Sequence, residues 1–366
     1  MKKFPLILSL ILIISLLAGC AGTPVVYYTN CTCPADAHGE AVENVPATIP
    51  SYGETPALSE GALKTGLAIS TSLKKSANAT ADAEGAADYD VTMVAVLVDD
   101  NGVIQSCIID GIASSVKFDA TGAITTDLTA GPQTKNELGE NYGMVAWGGA
   151  IAEWDAQAKA LADFAVGKTV EQLRSGAVSE SGYAPEGTDL ASQATIYLGG
   201  YVNTIEAAVA NAKHLGAQAG DDLKLATTTK FDSSTAADAE NAGNAQLDAD
   251  VVALTMKDTV ITSCALDSVQ AKVAFDASGA ITSDTAVPVA TKNELGSNYG
   301  MVAWGGAIAE WDEQAASFAA YVTGKTADEV ANISITEATK PADADLAATV
   351  TISVIGFMNL VTKAAK

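Results

Sequence analysis

Histidine is nearly absent from this chain. Its 366 residues hold two, His38 and His214. Neither is matched by a partner constellation, which argues against Ser/His/Asp or Cys/His hydrolysis and against histidine-based metal centres. Cysteine is scarce too, with five residues. Cys31 and Cys33 lie close together, but neither His38 nor any other neighbour completes a metal set, so paired or oxidised thiols are the expectation there. Basic residues number 20 against 44 acidic ones, a net charge of −24. Such a field repels nucleic acid and anionic lipid headgroups and excludes a nucleic-acid role. Aromatics make up only 6%, while 48% of the chain is hydrophobic. That composition suits packed α+β domains, and the length suits two of them.

One apolar run stands at the start. Met1-Lys2-Lys3 is a short positive segment, and Phe4 to Leu17 is almost wholly apolar but short for a bilayer span. Leu17-Ala18-Gly19-Cys20 follows. It reads as a bacterial lipobox, with residues 1–19 as the signal peptide and Cys20 as the lipid attachment site. Cleavage there removes Lys2 and Lys3 and takes the charge from −24 to −26. The expected location is extracytoplasmic, anchored to the cell membrane by acyl chains at the cell surface. Residues 20–62, rich in Thr, Pro, Ala, Gly and acid, read as a flexible tether.

The rest is duplicated. Lys135 to Trp154 recurs from Lys292 to Trp311 with a single change, Glu140 to Ser297. Correspondence at a shift near 157 extends over residues 63–215 and 222–366, the two expected domains. Met93–Val98, a turn at Asp99-Asp100-Asn101-Gly102, and Val103–Ile109 predict a β-hairpin. Val251–Met256, Lys257-Asp258 and Thr259–Leu266 predict its twin. Phe118–Thr125 and Phe275–Thr282 each read as strand, turn and strand. The expected fold is α+β: two tandem repeats, each an antiparallel sheet with packed helices. Cys107 and Cys264 occupy equivalent strand positions and read as buried, inert thiols, with a bridge between the units as the alternative.

Ile151, Trp154, Ala158, Leu161 and Phe164 fall on one helical face, and Gly167 stops that helix as Gly324 stops its twin. Gly167-Lys168-Thr169 and Gly324-Lys325-Thr326 invite a P-loop reading. The upstream glycine is missing, however, and the triplet is placed as a helix C-cap with Lys168 near the negative helix end. Each repeat closes with Asp-to-Thr segments, Asp189 to Thr195 and Asp345 to Thr351. These read as strands ahead of Gly199-Gly200 or Gly356 and a final helix.

These residues resemble the FMN-binding domains of surface lipoproteins in Gram-positive extracellular electron transfer, the PplA-like proteins. The likeness covers both repeats and the leader. It rests on Lys-x-Glu-Leu-Gly-x-x-Tyr-Gly-Met at Lys135–Met144 and Lys292–Met301, followed by Glu-Trp-x-x-Gln-Ala and Gly-Lys-Thr. It rests also on the flavinylation motif Asp-x-x-Ser/Thr-x-Ala/Val-Thr. The resemblance implies that Thr195 and Thr351 carry FMN as a phosphoester, installed by an ApbE-type flavin transferase, with Asp189, Ser192 and Asp345 in the recognition motif. Gln193 stands where glycine or serine is common. Ala348 replaces the Ser/Thr of the second motif and Val350 precedes its acceptor, making Thr351 the weaker match.

A flavin ring needs a flat, largely apolar slot. Glu137, Leu138, Gly139, Tyr142, Gly143 and Met144, with Glu294, Leu295, Gly296, Tyr299, Gly300 and Met301, are the candidate walls. Glu137 and Glu294 suit either helix N-caps or flavin ligands. Tyr142 and Met144, in a glycine-flanked stretch unlike helix or strand, suit either core or flavin contact, and Trp147 and Trp154 also suit the core. The implied protein is an electron carrier rather than an enzyme with its own substrate. It would take electrons from a membrane quinol-oxidising system and pass them to soluble flavin, metal oxide or a reductase. The rival reading is a non-redox ligand-binding or adhesion lipoprotein whose duplication is merely structural.

Overall fold

Alternation of side chains along the strands organises everything else. The computed structural model describes residues 61–366. The expected signal peptide, nearly all of the expected tether and the expected lipid site at Cys20, together with Cys31 and Cys33, lie outside the described residues. In the first repeat β1 (Lys64–Ser72), β2 (Gly85–Val98) and β3 (Ile104–Phe118) form an antiparallel meander in that order. In the second, β4 (Asp222–Lys230), β5 (Gly243–Lys257) and β6 (Val260–Phe275) repeat it.

On β2, Val91, Met93, Ala95 and Leu97 face one way, while Val94, Val96 and Val98 face the other. Both sets are buried, as period two requires of a strand covered on both sides. The odd-numbered set meets Leu247, Ala249, Val251 and Ala253 of β5 in one shared cluster, so the sheets pack face to face. Residues 61–366 belong to one compact unit around this inner core.

Helices cover the outer faces. The first repeat adds α1 (Lys135–Leu138), a 3₁₀ turn over Gly139–Tyr142, α2 (Met144–Gly148), α3 (Trp154–Ala165), α4 (Val170–Ala177), α5 (Asp189–Gln193) and α6 (Gly199–Asn211). The second adds α7 (Lys292–Leu295), a 3₁₀ turn over Gly296–Tyr299, α8 (Met301–Gly305), α9 (Trp311–Val322), α10 (Ala327–Ala331), α11 (Ala344–Ala347) and α12 (Ile355–Ala364). Trp154, Leu161, Leu173, Val202 and Ile205 pack on the even-numbered face of β2; Trp311, Phe318, Phe357 and Leu360 do the same on β5. The layer order is therefore helices, sheet, sheet, helices, an α+β architecture. α6 crosses β1 so closely that a Cβ on Gly66 would stand 2.0 Å from the Ala208 carbonyl oxygen.

The contact between repeats is reciprocal. Phe118 stacks on Phe275, its own equivalent, with ring centroids 4.0 Å apart and planes 4° from parallel. Ala79 N donates to Gly279 O at 2.8 Å, and Ala237 N donates to Gly122 O at 2.9 Å. A surface meeting its own counterpart marks a pseudo-two-fold axis. One departure from that symmetry lies at Lys363. Lys363 Nζ donates to Glu137 Oε1 and, at 2.7 Å, to Thr227 O. Ala207 holds the corresponding place in the first repeat, beside a cleft of about 300 Å³ that Glu294 also lines.

Several sequence expectations are corrected. β1 and β4 were not foreseen, and β2 begins at Gly85 rather than Met93. The second strand after Phe118 is only an isolated bridge, Phe118 to Ile124, as is Phe275 to Ile281. Ile151 lies outside α3 and is exposed. Gly167-Lys168-Thr169 ends α3 and also opens α4, because Thr169 forms a capping box with Gln172; Thr326 does the same for α10 with Glu329. Lys168 Nζ does donate to Phe164 O at the end of α3. Asp189–Gln193 and Ala344–Ala347 are single helical turns rather than strands, and Gly199, Gly200 and Gly356 lie in the first turns of α6 and α12. Cys107 and Cys264 are free thiols; Cys264 is buried as expected, Cys107 only half-buried, and desolvation pushes both up to about 12.

Candidate functional site

The start of α3 gathers the separate motifs. Glu153 is its N-cap, and its carboxylate accepts from Met144 N at 2.8 Å and Val145 N at 3.0 Å, the first amides of α2. An anion there meets the positive end of the short helix and fixes it. Four residues later Gln157 is fully buried. Its Nε2 donates to Ala152 O at 2.8 Å. Its Oε1 accepts from Thr195 N at 2.8 Å, Thr195 Oγ1 at 3.3 Å and Ile196 N at 3.2 Å. A buried amide is tolerable only when satisfied in this way, so Gln157 ties the Thr195 loop to α3.

The second repeat repeats the arrangement. Glu310 accepts from Met301 N at 2.8 Å and Val302 N at 3.1 Å. Gln314 donates to Ala309 O at 2.8 Å and accepts from Thr351 N at 2.8 Å and Oγ1 at 3.3 Å. The sequence departures around Thr351 leave these distances unchanged. Thr195 is exposed and Thr351 half-buried. Each lies four residues ahead of a long helix, α6 or α12, whose first turn has no side-chain cap. Backbone carbonyls take the leading amides, Leu198 N and Gly199 N donating to Gly182 O and Val354 N to Thr339 O, while the positive end of each helix still favours an anion. The neighbours differ: Tyr183 and Tyr197 pack edge to face at 5.6 Å beside Gly182, whereas Thr339 and Ser353 exchange a 2.6 Å hydrogen bond in the second repeat.

The twin stretch surrounds a buried lysine. Lys135 Nζ stands 4.8 Å from the Trp154 ring centroid, 5.6 Å from that of Tyr142 and 3.8 Å from Asp90. Lys292 sits 4.7 Å from Trp311 and 5.3 Å from Tyr299. Burial lowers both ammonium pKa values, while Asp90 opposes the shift for Lys135 and Asp250 and Asp248 oppose it for Lys292. Glu137 and Glu294 form capping boxes, accepting from Thr134 N at 2.9 Å and Thr291 N at 2.8 Å. Tyr142 and Met144 are half-buried against the outer core, as are Tyr299 and Met301. Leu138, Gly139, Leu295 and Gly296 line the turns between, half-buried. Gly143 and Gly300, with φ of 80° and 83°, make the left-handed turn into α2 and α8. Asp189, Ser192 and Asp345 are exposed on single-turn helices, and Ser192 Oγ donates back to Asp189 O.

No family model, curated protein or solved structure matches the chain. The site therefore stands on its own residues. Among the described residues no group of three or more His, Cys, Asp or Glu is placed to hold a metal ion, and no helix is long and apolar enough to cross a membrane.

The sequence showed Glu153, Gln157 and their twins Glu310 and Gln314 only as letters of the Glu-Trp-x-x-Gln-Ala pattern, with no role attached, and Asp110 and its twin Asp267 not at all. A signal existed: Gln157 is a polar residue on the apolar face of α3, and the second repeat keeps it. Asp267 Oδ1 accepts from Ser268 N at 2.7 Å and Asn293 N at 3.1 Å, fastening α7 to β6. Burial pushes its carboxyl from the ordinary 3.8 up to about 6. The folded form thus keeps its proton to higher pH than the unfolded chain, and folding loses stability as pH rises from about 4 to about 6. Asp267→Asn is expected to remove this cost, on the order of 2–3 kcal/mol between pH 4 and pH 7. Denaturant melts of both proteins at the two pH values check it; parallel pH dependences would contradict it.

Proposed function

We propose that the protein is an electron carrier bearing FMN esterified to Thr195 and Thr351, held at the membrane surface through Cys20. One observation supports this above the rest: in both repeats the acceptor hydroxyl and its backbone amide are held by a buried glutamine, just ahead of an uncapped helix. That placement suits a phosphoester, whose charge favours a positive helix end. The ApbE-type transferase would supply FMN from FAD. Thr Oγ1 attacks the FMN-side phosphorus, and the bond from that phosphorus to the bridging oxygen breaks. AMP leaves with that oxygen, and the hydroxyl proton is lost to solvent. The bound flavin supplies the redox chemistry, while the chain holds and orients it. Electrons would come from a membrane quinol oxidiser and leave to a soluble flavin, a metal oxide or a reductase.

Co-expression with a flavin transferase, followed by denaturation and peptide mapping, tests the reading. FMN is expected on both threonine peptides. Thr195→Ala and Thr351→Ala should each remove one flavin per chain. A protein that releases all its flavin on denaturation, or never acquires any, would refute the assignment and leave a non-redox ligand-binding or adhesion role.

A further inference from the structure

Two tryptophans stand almost wholly in solvent. Trp147 and Trp304 are each 90% exposed, whereas Trp154 and Trp311, seven residues on, are 3% and 6% exposed. Val145 and Ile151 flank the first, and Val302 and Ile308 the second, also exposed. The backbone beneath is held firmly. Glu153 and Glu310 clamp the amides that open each turn, and Trp147 N and Trp304 N donate at 2.9 Å to the carbonyls of Gly143 and Gly300. Gly149 N, Ala150 N, Gly306 N and Ala307 N close the same turns from the other end. One edge of each indole rests on a glycine: a Cβ at Gly143 or Gly300 would stand 2.3 Å from Cδ1. The remainder of the ring is free.

We propose that these indoles are the stacking platforms for the isoalloxazine rings of flavins carried by Thr195 and Thr351. The inference rests on the reading of those threonines as flavin acceptors. Ordering an apolar surface that water then covers forgoes stabilisation, and tryptophan is among the side chains with the most apolar area to bury. A patch so anchored is prepared for an apolar occupant, and an indole face suits a flat aromatic one. The hydrogen bonds around Thr195 and Thr351 point to which ring that is. Ile151 adjoins Ala152, whose carbonyl accepts from Gln157 Nε2, and the same amide's Oε1 accepts from Thr195. Ile308, Ala309, Gln314 and Thr351 repeat the sequence of contacts. One glutamine side chain thus separates the exposed loop from the acceptor hydroxyl, and the patch recurs wherever the acceptor recurs. Stacked indole quenches flavin emission by donating an electron to the excited ring.

The experiment uses the full chain flavinylated in the Thr351→Ala background, so that each molecule carries one FMN, on Thr195, verified by mass. Its flavin emission should be quenched relative to the same sample denatured. Trp147→Ala should raise the emission severalfold and lengthen its lifetime, with unchanged melting temperature. Trp147→Phe, a flat but poorer electron donor, should fall between. Trp304→Ala should change nothing in this background. Unaltered emission in Trp147→Ala with FMN still on Thr195 would overturn the platform and leave the acceptor reading intact. Absence of FMN from Thr195 in the parent would remove both.

Discussion

Phe118→Ala is expected to lower the free energy of unfolding by about 3–5 kcal/mol, the range for removing a fully buried phenylalanine. The ring lies on the axis between the repeats, in van der Waals contact with Phe275, and neither side chain is exposed. Collapse around the cavity is limited, because Gly85 and Gly243 bring backbone against these two rings and cannot extend into the space. Phe275→Ala should cost a similar amount. The double substitution should cost less than the sum, by about 0.5–1.5 kcal/mol for the lost stacking. Because the inner core belongs to both sheets, unfolding should remain one transition in every variant. Urea melts followed by circular dichroism and tryptophan emission provide the measurement. Two separated transitions, or a loss under about 1 kcal/mol, would contradict the shared core.

Gln157→Leu should slow flavin attachment at Thr195 by about 10- to 100-fold while leaving Thr351 unaffected. The side chain satisfies Thr195 N, Ile196 N and Ala152 O at once. Leucine matches its bulk but leaves these groups unpaired, at about 1–3 kcal/mol each if they stay buried. The loop will instead move outward to reach water, and the hydroxyl then no longer holds one position. A positioning loss of that size corresponds to the stated change in rate. The second acceptor is an internal reference: a general folding defect would lower both sites, whereas lost positioning lowers one. Gln314→Leu should give the mirror result. Gln157→Glu retains an acceptor for the two amides but sets a carboxylate oxygen against the Ala152 carbonyl, so it should restore only part of the rate. Peptide mapping of flavin occupancy over time decides. Equal slowing at both threonines would remove the positioning role.

The hairpins were legible because Met93–Val98 and Val251–Met256 are dense in β-branched and large apolar residues and end at turn chemistry. β1 escaped notice because Gly66, Ser70 and Thr71 dilute its apolar positions, and its burial comes from α6 and from the opposite sheet. The early part of β2 was hidden by Ala86, Ala87 and two aspartates, although the alternation was present. The helical turns from Lys135 to Gly148 were misjudged because their glycines suggest irregular chain. Those glycines in fact join three short helical pieces, of which α1 is fixed by its capping box and α2 by the Glu153 carboxylate. The two threonines were visible through a motif. Their glutamine partner stood in a second motif, but the pairing was not visible, since a contact across 38 residues leaves no local pattern.

The reciprocal contacts carry a last consequence. A face that fits its own copy is the property of a homodimer subunit, and the chain joins two such subunits through a short connector near residue 216. A precursor with one repeat would have had the same apolar sheet face and the same need to cover it, and an identical chain would have met that need. Fusion then made the partner permanent and released each half from being identical. Lys363 opposite Ala207, and the tyrosine pair opposite Thr339 and Ser353, are differences that a true homodimer cannot acquire one side at a time.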